Sequence, residues 1–349
     1  MTKSHRITPL LCCLGLLTLI ADVNPQSGRR LPSNNKPDQG DILRLRADEV
    51  LLNVTVTDSF GRQATTLGKS DFIIAEDGQR QDISSFFVSA VPVSVVLLLD
   101  ASGSVVGEIG SLRDAAMGFV NELRPEDKVS VIEFHTKVEL IQDWTSKADD
   151  LRHAISWRFR PGMVRTQDGT STYGMTALYD ALYLTTQEQL AKVEGRKAVI
   201  ILTDGVDTSS KVTYEQALSS LIKSGAVVYV VSKARELINW AKQYTGGFSR
   251  IFGGWNAQIA QRLITDWERG EELMTLLSQR TGGQMFSPRA DDEMKDMYAR
   301  VARELKNQYV ISYIPKNEKR DGGLRKVGVY LSRPGYRARS RDSYYAPKE

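Results

Sequence analysis

Three short apolar runs constrain this chain more than any other feature. They are Val93-Ser94-Val95-Val96-Leu97-Leu98-Leu99, Ala198-Val199-Ile200-Ile201-Leu202 and Val227-Val228-Tyr229-Val230-Val231. A strand with one wet face alternates apolar and polar residues, whereas a strand covered on both faces does not. Between these runs lie apolar residues at three- and four-residue steps, such as Ile109, Leu112, Ala116, Phe119 and Leu123, the spacing of an amphipathic helix. Further strands are predicted at 129–134 and, as an edge, at 138–141. Helices are predicted around 148–156, 177–188, 214–223 and 271–279. Strands alternating with helices in this way predict a doubly wound, mostly parallel α/β sheet.

Where these strands end, the chain carries hard oxygens. Asp100, Ser102 and Ser104 follow the first run as Asp-Ala-Ser-Gly-Ser, and Asp204 follows the second in Leu202-Thr203-Asp204-Gly205. Thr176 stands in Gly174-Met175-Thr176-Ala177-Leu178, ahead of a predicted helix. Open α/β sheets place their ligands beyond the carboxyl ends of the strands. Oxygen donors without His or Cys suit Mg²⁺, Ca²⁺ or Mn²⁺ rather than zinc. Gly103 lets the backbone turn tightly, so that Ser102 and Ser104 can aim both hydroxyls at one point. Each piece alone is weak, because Ser and Asp after strands commonly just cap helices. Their joint occurrence, each at a strand end, predicts a single cation site built from Asp100, Ser102, Ser104, Thr176 and Asp204, with Mg²⁺ as the expected ion.

The rest of the chain narrows the function classes. At 349 residues it has room for two domains. Lys3, His5 and Arg6 precede an apolar stretch over 9–21 that ends in Leu19-Ile20-Ala21, so residues 1–21 read as a signal peptide and the protein as secreted or periplasmic. The stretch is shorter than the ~20 residues that span a bilayer; an uncleaved anchor is the alternative. Cys12 and Cys13 are the chain's two cysteines, and cleavage would leave a mature protein without disulfides. It would also remove Lys3 and Arg6 and no acid, taking the formal charge from +4 to +2. That is too small a charge to argue for nucleic acid.

His135 and His153 have no spaced Cys or His companions, so neither zinc nor a histidine-based triad is supported. Gly68-Lys69-Ser70 lacks the first glycine of a phosphate loop, where Gln63 stands. Asn53-Val54-Thr55 matches a glycosylation sequon but falls mid-strand. Residues 316–349 carry ten Lys/Arg against four acids, which reads as a solvated strand face, with a polyanion or membrane-surface contact as the alternative.

Both ends of the chain look all-β. Residues 22–41 form a polar lead-in rich in Pro and Asn. Val50, Leu52, Val54 and Val56 then alternate with more polar neighbours, and Glu76-Asp77-Gly78 marks a hairpin whose return strand is expected at 83–88. Strands recur at 309–314, 327–331 and 336–339. Each segment, 42–90 and 308–347, offers about three strands, a marginal number alone, so they are expected to pair into one sandwich-like unit. Residues 233–270 interrupt the α/β pattern. There Trp255, Ile259, Leu263 and Trp267 stand four apart, predicting one apolar helical face packed near the rim of the cation site.

The strand-end residues resemble the metal-ion-dependent adhesion site (MIDAS) of a von Willebrand factor A domain. Residues 127–134 (Asp-Lys-Val-Ser-Val-Ile-Glu-Phe) and 174–182 (Gly-Met-Thr-Ala-Leu-Tyr-Asp-Ala-Leu) are similar to standard strand and helix segments of that family. Leu52-Asn53-Val54-Thr55-Val56-Thr57-Asp58, Asp71-Phe72 and Gly335-Tyr336-Arg337-Ala338-Arg339 resemble the secreted A-domain-related proteins abundant in Acidobacteria.

This likeness covers residues 44–347 and implies a Rossmann-like A domain over 91–307 with an insertion at 233–270. It implies that Ser102, Ser104 and often Thr176 touch the metal, with Asp100 and Asp204 acting mostly through bound water. The ion then stays electrophilic and takes an Asp or Glu carboxylate from a protein partner. Val105-Val106-Gly107 stand where the integrin β-type pattern has paired acids, so one metal is expected. The expected function is a metal-dependent protein-binding module and not an enzyme. The alternative is a structural cell-envelope component in which the metal only stabilises the fold.

Overall fold

A computed structural model of the chain describes residues 49–88, 91–103, 109–160, 162–165, 171–246, 255–288 and 291–348, all within one unit spanning 41–349. The expected signal peptide and the lead-in lie outside the described residues. Among the described residues no helix is long and apolar enough to cross a membrane.

The N-terminal strands are β1 (Val50–Asp58), β2 (Phe72–Glu76), β3 (Gln79–Gln81) and β4 (Ile83–Val88). The turn at Asp77-Gly78 has positive φ at both residues and returns the chain into β3, which pairs with β2 for three residues. Strand β4 then leaves for another sheet, where it pairs with a C-terminal strand. The expected hairpin partner at 83–88 is therefore corrected: the turn signal was real, but its return strand is 79–81.

The α/β layer begins with β5 (Val93–Asp100), followed by α1 (Ile109–Asn121), β6 (Lys128–Phe134), β7 (Val138–Thr145) and α2 (Ala148–His153). A short hairpin of β8 (Met163–Arg165) and β9 (Ser171–Tyr173), not foreseen from the sequence, precedes α3 (Leu178–Leu184). Next come β10 (Arg196–Thr203), α4 (Tyr214–Ser224) and β11 (Val227–Ser232). They lead to α5 (Ala234–Gly246), α6 (Trp255–Arg280), β12 (Met285–Phe286) and α7 (Asp291–Lys306).

Six of these strands make one sheet in the order β12-β11-β10-β5-β6-β7, parallel except for the edge strand β7. The continuous apolar runs are explained by cores on both faces. Val95, Leu97 and Leu99 pack with α1 and α7 on one side, while Val96 and Leu98 pack with α3, α4 and α6 on the other.

The chain closes with β13 (Tyr309–Tyr313), β14 (Leu324–Leu331), β15 (Tyr336–Arg339) and β16 (Ser343–Tyr345). Strands from the two ends interleave in two four-stranded sheets, β15-β1-β13-β4 and β16-β14-β2-β3. Their inner faces share a core that includes Leu52, Val54, Ile74, Ile311 and Tyr313. β1 sits between two C-terminal strands, antiparallel to both, with Leu52 opposite Ile311 and Val56 opposite Ala338.

The basic tail is less solvated than expected. Arg325 is buried, and Arg341 donates to the Leu51 carbonyl at 2.8 Å. Asn53, in the sequon, is also buried and accepts a hydrogen bond from Arg196 Nε.

Candidate metal centre

The centre forms where β5 and β10, adjacent in the middle of the sheet, both end in polar residues. Asp100 is the last residue of β5, and its side chain is fully buried. One carboxylate oxygen, Oδ1, accepts the backbone N–H of Ser102 at 2.9 Å, which turns the chain sharply after the strand. The other, Oδ2, accepts from the hydroxyl of Thr203, the last residue of β10, at 2.7 Å. Thr203 Oγ1 in turn accepts the N–H of Gly205 at 3.1 Å, so one hydroxyl links both strand-end loops.

Asp204 is buried as well, with Oδ1 accepting the Val206 N–H at 3.1 Å and Oδ2 accepting the indole N–H of Trp267 at 3.2 Å. Gly205, at φ +83, supplies the left-handed turn that follows.

The loop carrying Thr176 is stitched to both others. Gly103 donates to the Gly174 carbonyl at 3.2 Å. On the opposite side Thr176 N–H donates to Thr208 Oγ1 at 2.8 Å, and the Thr176 carbonyl accepts from the N–H groups of Thr208 and Ser209. Asp207 Oδ1 accepts the N–H groups of Leu178 and Tyr179, capping α3 from a distant loop. His135 lies beneath, so close to Gly162 and Gly174 that a Cβ at either would meet its ring or Cβ below 3.0 Å.

Asp100, Ser102, Thr176 and Asp204 thus come from three segments that are hydrogen-bonded into a ring, and all four side chains are buried. Asp100, at the end of β5, and Thr176, on the loop ahead of α3, are buried although neither belongs to an apolar core. Ser104 lies outside the described residues. Thr203, Thr208 and Asp207 were not singled out from the sequence; Trp267 was, as part of the apolar face expected near the rim of the site, and it does lie there, as a donor to Asp204. Thr203 stood within the Leu-Thr-Asp-Gly motif, whereas the hydrogen bond from the Trp267 indole to Asp204 had no local signal beyond that expected rim packing.

Electrostatics gives the set its preference. Burial, followed by the charge of Asp204, pushes the Asp100 carboxyl up to about 7, against the opposing hydrogen bonds from Ser102 and Thr203. Two carboxylates that repel inside a buried pocket make a strong demand for a cation. Two Asp side chains with neighbouring Ser and Thr hydroxyls are a hard-oxygen donor set, which fits a small divalent ion. Among the described residues no three His, Cys, Asp or Glu side chains converge as a metal cluster, so the hydroxyls are needed to complete the donor set.

A family profile for the von Willebrand factor type A domain matches residues 94–243, the stretch that holds the site. Among solved structures, proximal thread matrix protein 1 from the mussel byssus aligns at 15% identity and a TM-score of 0.46, over 66% of this chain and 51% of its own. This chain therefore spans about half the length of that protein. A form of the same mussel protein with a zinc-occupied MIDAS motif aligns at 17% identity and 0.43, over 66% of this chain and 49% of its own. A von Willebrand factor type A protein from Catenulispora acidiphila aligns at 10% identity and 0.46, over 88% of this chain and 76% of its own. The profile match coincides with the doubly wound sheet and its strand-end residues, and on that basis this chain carries a von Willebrand factor type A domain.

Proposed function

We propose that the chain is an extracytoplasmic, metal-dependent protein-binding module and not an enzyme. A single divalent cation, Mg²⁺ in the first instance, would be held by Asp100, Ser102, Ser104, Thr176 and Asp204. When bound, it would supply a positively charged position for an Asp or Glu carboxylate of a protein partner. The observation that carries this reading is the buried Asp100/Asp204 pair. Burial, followed by the charge of Asp204, raises the Asp100 carboxyl, a cost that a cation would relieve, while Ser102 follows the same strand end and Thr176 stands on the adjoining loop ahead of α3.

The chain's own residues prepare the site. Thr203 and the Ser102 amide orient Asp100, Val206 and Trp267 orient Asp204, and Thr208 anchors the Thr176 loop. A carboxylate whose oxygens are already held by donors loses little further freedom when an ion arrives.

The test has two arms. Isothermal titration of the EDTA-stripped protein with Mg²⁺, Mn²⁺ and Ca²⁺ should give one site per chain. Capture of an acidic protein from an envelope fraction should disappear in EDTA while the far-UV spectrum stays unchanged. Absence of cation binding would sink the reading. Binding that raises the melting temperature without any EDTA-sensitive partner would favour a structural envelope role instead.

A further inference from the structure

Trp267 lies 63 residues beyond Asp204, on α6, yet its indole N–H meets Asp204 Oδ2 at 3.2 Å. The ring is 7% exposed and packs in a small core with Ala234, Ile238, Ala241 and Ile264 of the α5–α6 arm. Val206, two residues after Asp204, packs against the same core.

A second contact lies one helical turn away, at Gly270. A Cβ there would come within 2.7 Å of the Gly205 carbonyl oxygen, and a Cβ at Gly205 would meet the Gly270 backbone at 3.0 Å. A glycine inside a helix costs about 0.5–1 kcal/mol relative to alanine. Here it lets the helix backbone lie directly on the loop that carries Asp204. Trp267 and Gly270 are three apart and so share a helix face. One face of α6 therefore touches the candidate centre twice, through a polar contact and through a backbone contact.

We propose that Trp267 is a positioning residue for the cation site, and that docking of the α5–α6 arm and cation binding are thermodynamically linked. This rests on the reading of the site given above. Asp204 has one oxygen held by its own loop, through Val206, and the other by the arm. The indole N–H is a neutral donor, so it sets the orientation of the carboxylate without cancelling its charge. Outer donors of this kind typically alter metal affinity by about 10–100-fold. Linkage is reciprocal: if the docked arm raises affinity for the ion, the ion must hold the arm down by the same factor.

The experiment compares the wild type with Trp267→Phe, which keeps an aromatic ring in the core and removes the N–H. Both EDTA-stripped proteins are titrated with Mn²⁺ by calorimetry, and hydrogen exchange over residues 259–272 of the wild type is followed with and without Mn²⁺. The expected results are affinity weakened about 10-fold in Trp267→Phe, with an unchanged far-UV spectrum, and exchange slowed in the wild-type arm when the ion binds. Wild-type protein that binds no Mn²⁺ would overturn the cation site itself, and this inference with it. Wild type that binds, with Trp267→Phe affinity within twofold, would overturn the role of Trp267 alone. Should Trp267→Phe fail to fold, the exchange measurement decides: arm protection indifferent to Mn²⁺ overturns the linkage.

Discussion

The hydroxyl of Thr203 donates to Asp100 Oδ2 across 2.7 Å, joining residues 103 apart in the chain at the ends of two neighbouring parallel strands. The same oxygen accepts the Gly205 N–H, so it lies at the junction of the Asp100 and Asp204 loops. Replacing it by the isosteric Thr203→Val removes a donor to a buried carboxylate. Hydrogen bonds to charged groups contribute about 1.5–3 kcal/mol. Thr203→Val should lose that much in urea denaturation of the cation-free protein at pH 8, and should also bind Mg²⁺ more weakly. Equal midpoints and equal affinity would show that the bond carries no load.

Asp100→Asn separates electrostatics from packing. The folded carboxyl titrates near 7, above its usual 3.8, because burial and Asp204 disfavour its charge. The stability it contributes is therefore present below about pH 4 and lost as pH rises through 7. The neutral amide escapes that loss. Asp100→Asn should be more stable than the wild type at pH 8 in EDTA, by about 1–3 kcal/mol, and should gain nothing from Mg²⁺. Thermal scans at pH 5 and pH 8, with and without Mg²⁺, check both statements; a variant less stable at pH 8 in EDTA would contradict the first.

Glu133, in β6, offers a second pH test. Burial pushes its carboxyl up to about 7, while one oxygen accepts the Arg160 N–H at 3.2 Å. Its raised value again places the loss of stability between about pH 4.5 and 7. Glu133→Gln keeps an acceptor for Arg160 and removes the charge. It should be more stable than the wild type at pH 8 by about 1–2 kcal/mol, allowing for solvent screening, and nearly equal at pH 5. A pH-independent difference would rule out titration of Glu133 as the cause.

Arg196, the first residue of β10, ties the α/β layer to the β sandwich. Its buried guanidinium donates to Asn53 Oδ1, the Val91 and Leu305 carbonyls and Gln308 Oε1. Arg196→Met keeps much of the volume but strands all four acceptors. Each buried acceptor left without a donor costs about 1–3 kcal/mol. The urea midpoint should fall accordingly, and the β-sandwich strands should show faster hydrogen exchange. A loss below about 1 kcal/mol would mean that water replaces the guanidinium.

The α/β layer was legible because its strands are covered on both faces. Burial of that kind writes itself into consecutive residues, and α1 shows its core side at Leu112, Ala116 and Phe119 by spacing alone. The strand-end positions of Asp100, Ser102 and Asp204 were legible for the same reason, since a parallel sheet puts its strand ends on one edge; Thr176, expected at a strand end as well, stands instead on the loop between the β8–β9 hairpin and α3. Two local patterns misled. Glu76-Asp77-Gly78 announced a turn correctly, but alternation in 83–88 states which face a side chain takes, not which strand lies beside it; β4 went to β13.

In α6, residues four apart drift by about 40° per step, so the Trp255-to-Trp267 stripe winds around the helix. Ile259 and Leu263 are 44% and 41% exposed, while Ile264, Trp267, Met274 and Leu277 are buried; the Trp255 side chain lies outside the described residues. The helix also runs unbroken from Trp255 to Arg280, joining segments that the sequence had separated.

By itself, then, the sequence determined the layers, the strand ends and the chemical character of the site, because these follow from periodicity and residue type. Tertiary structure alone decided that Asp100 and Thr176 are buried, that Thr203 bridges the two carboxylate loops, and that the Trp267 indole donates to Asp204. Those contacts join residues 32 to 103 positions apart. Hydrogen bonds across such separations depend on how whole elements dock, and no local pattern in the chain encodes that docking.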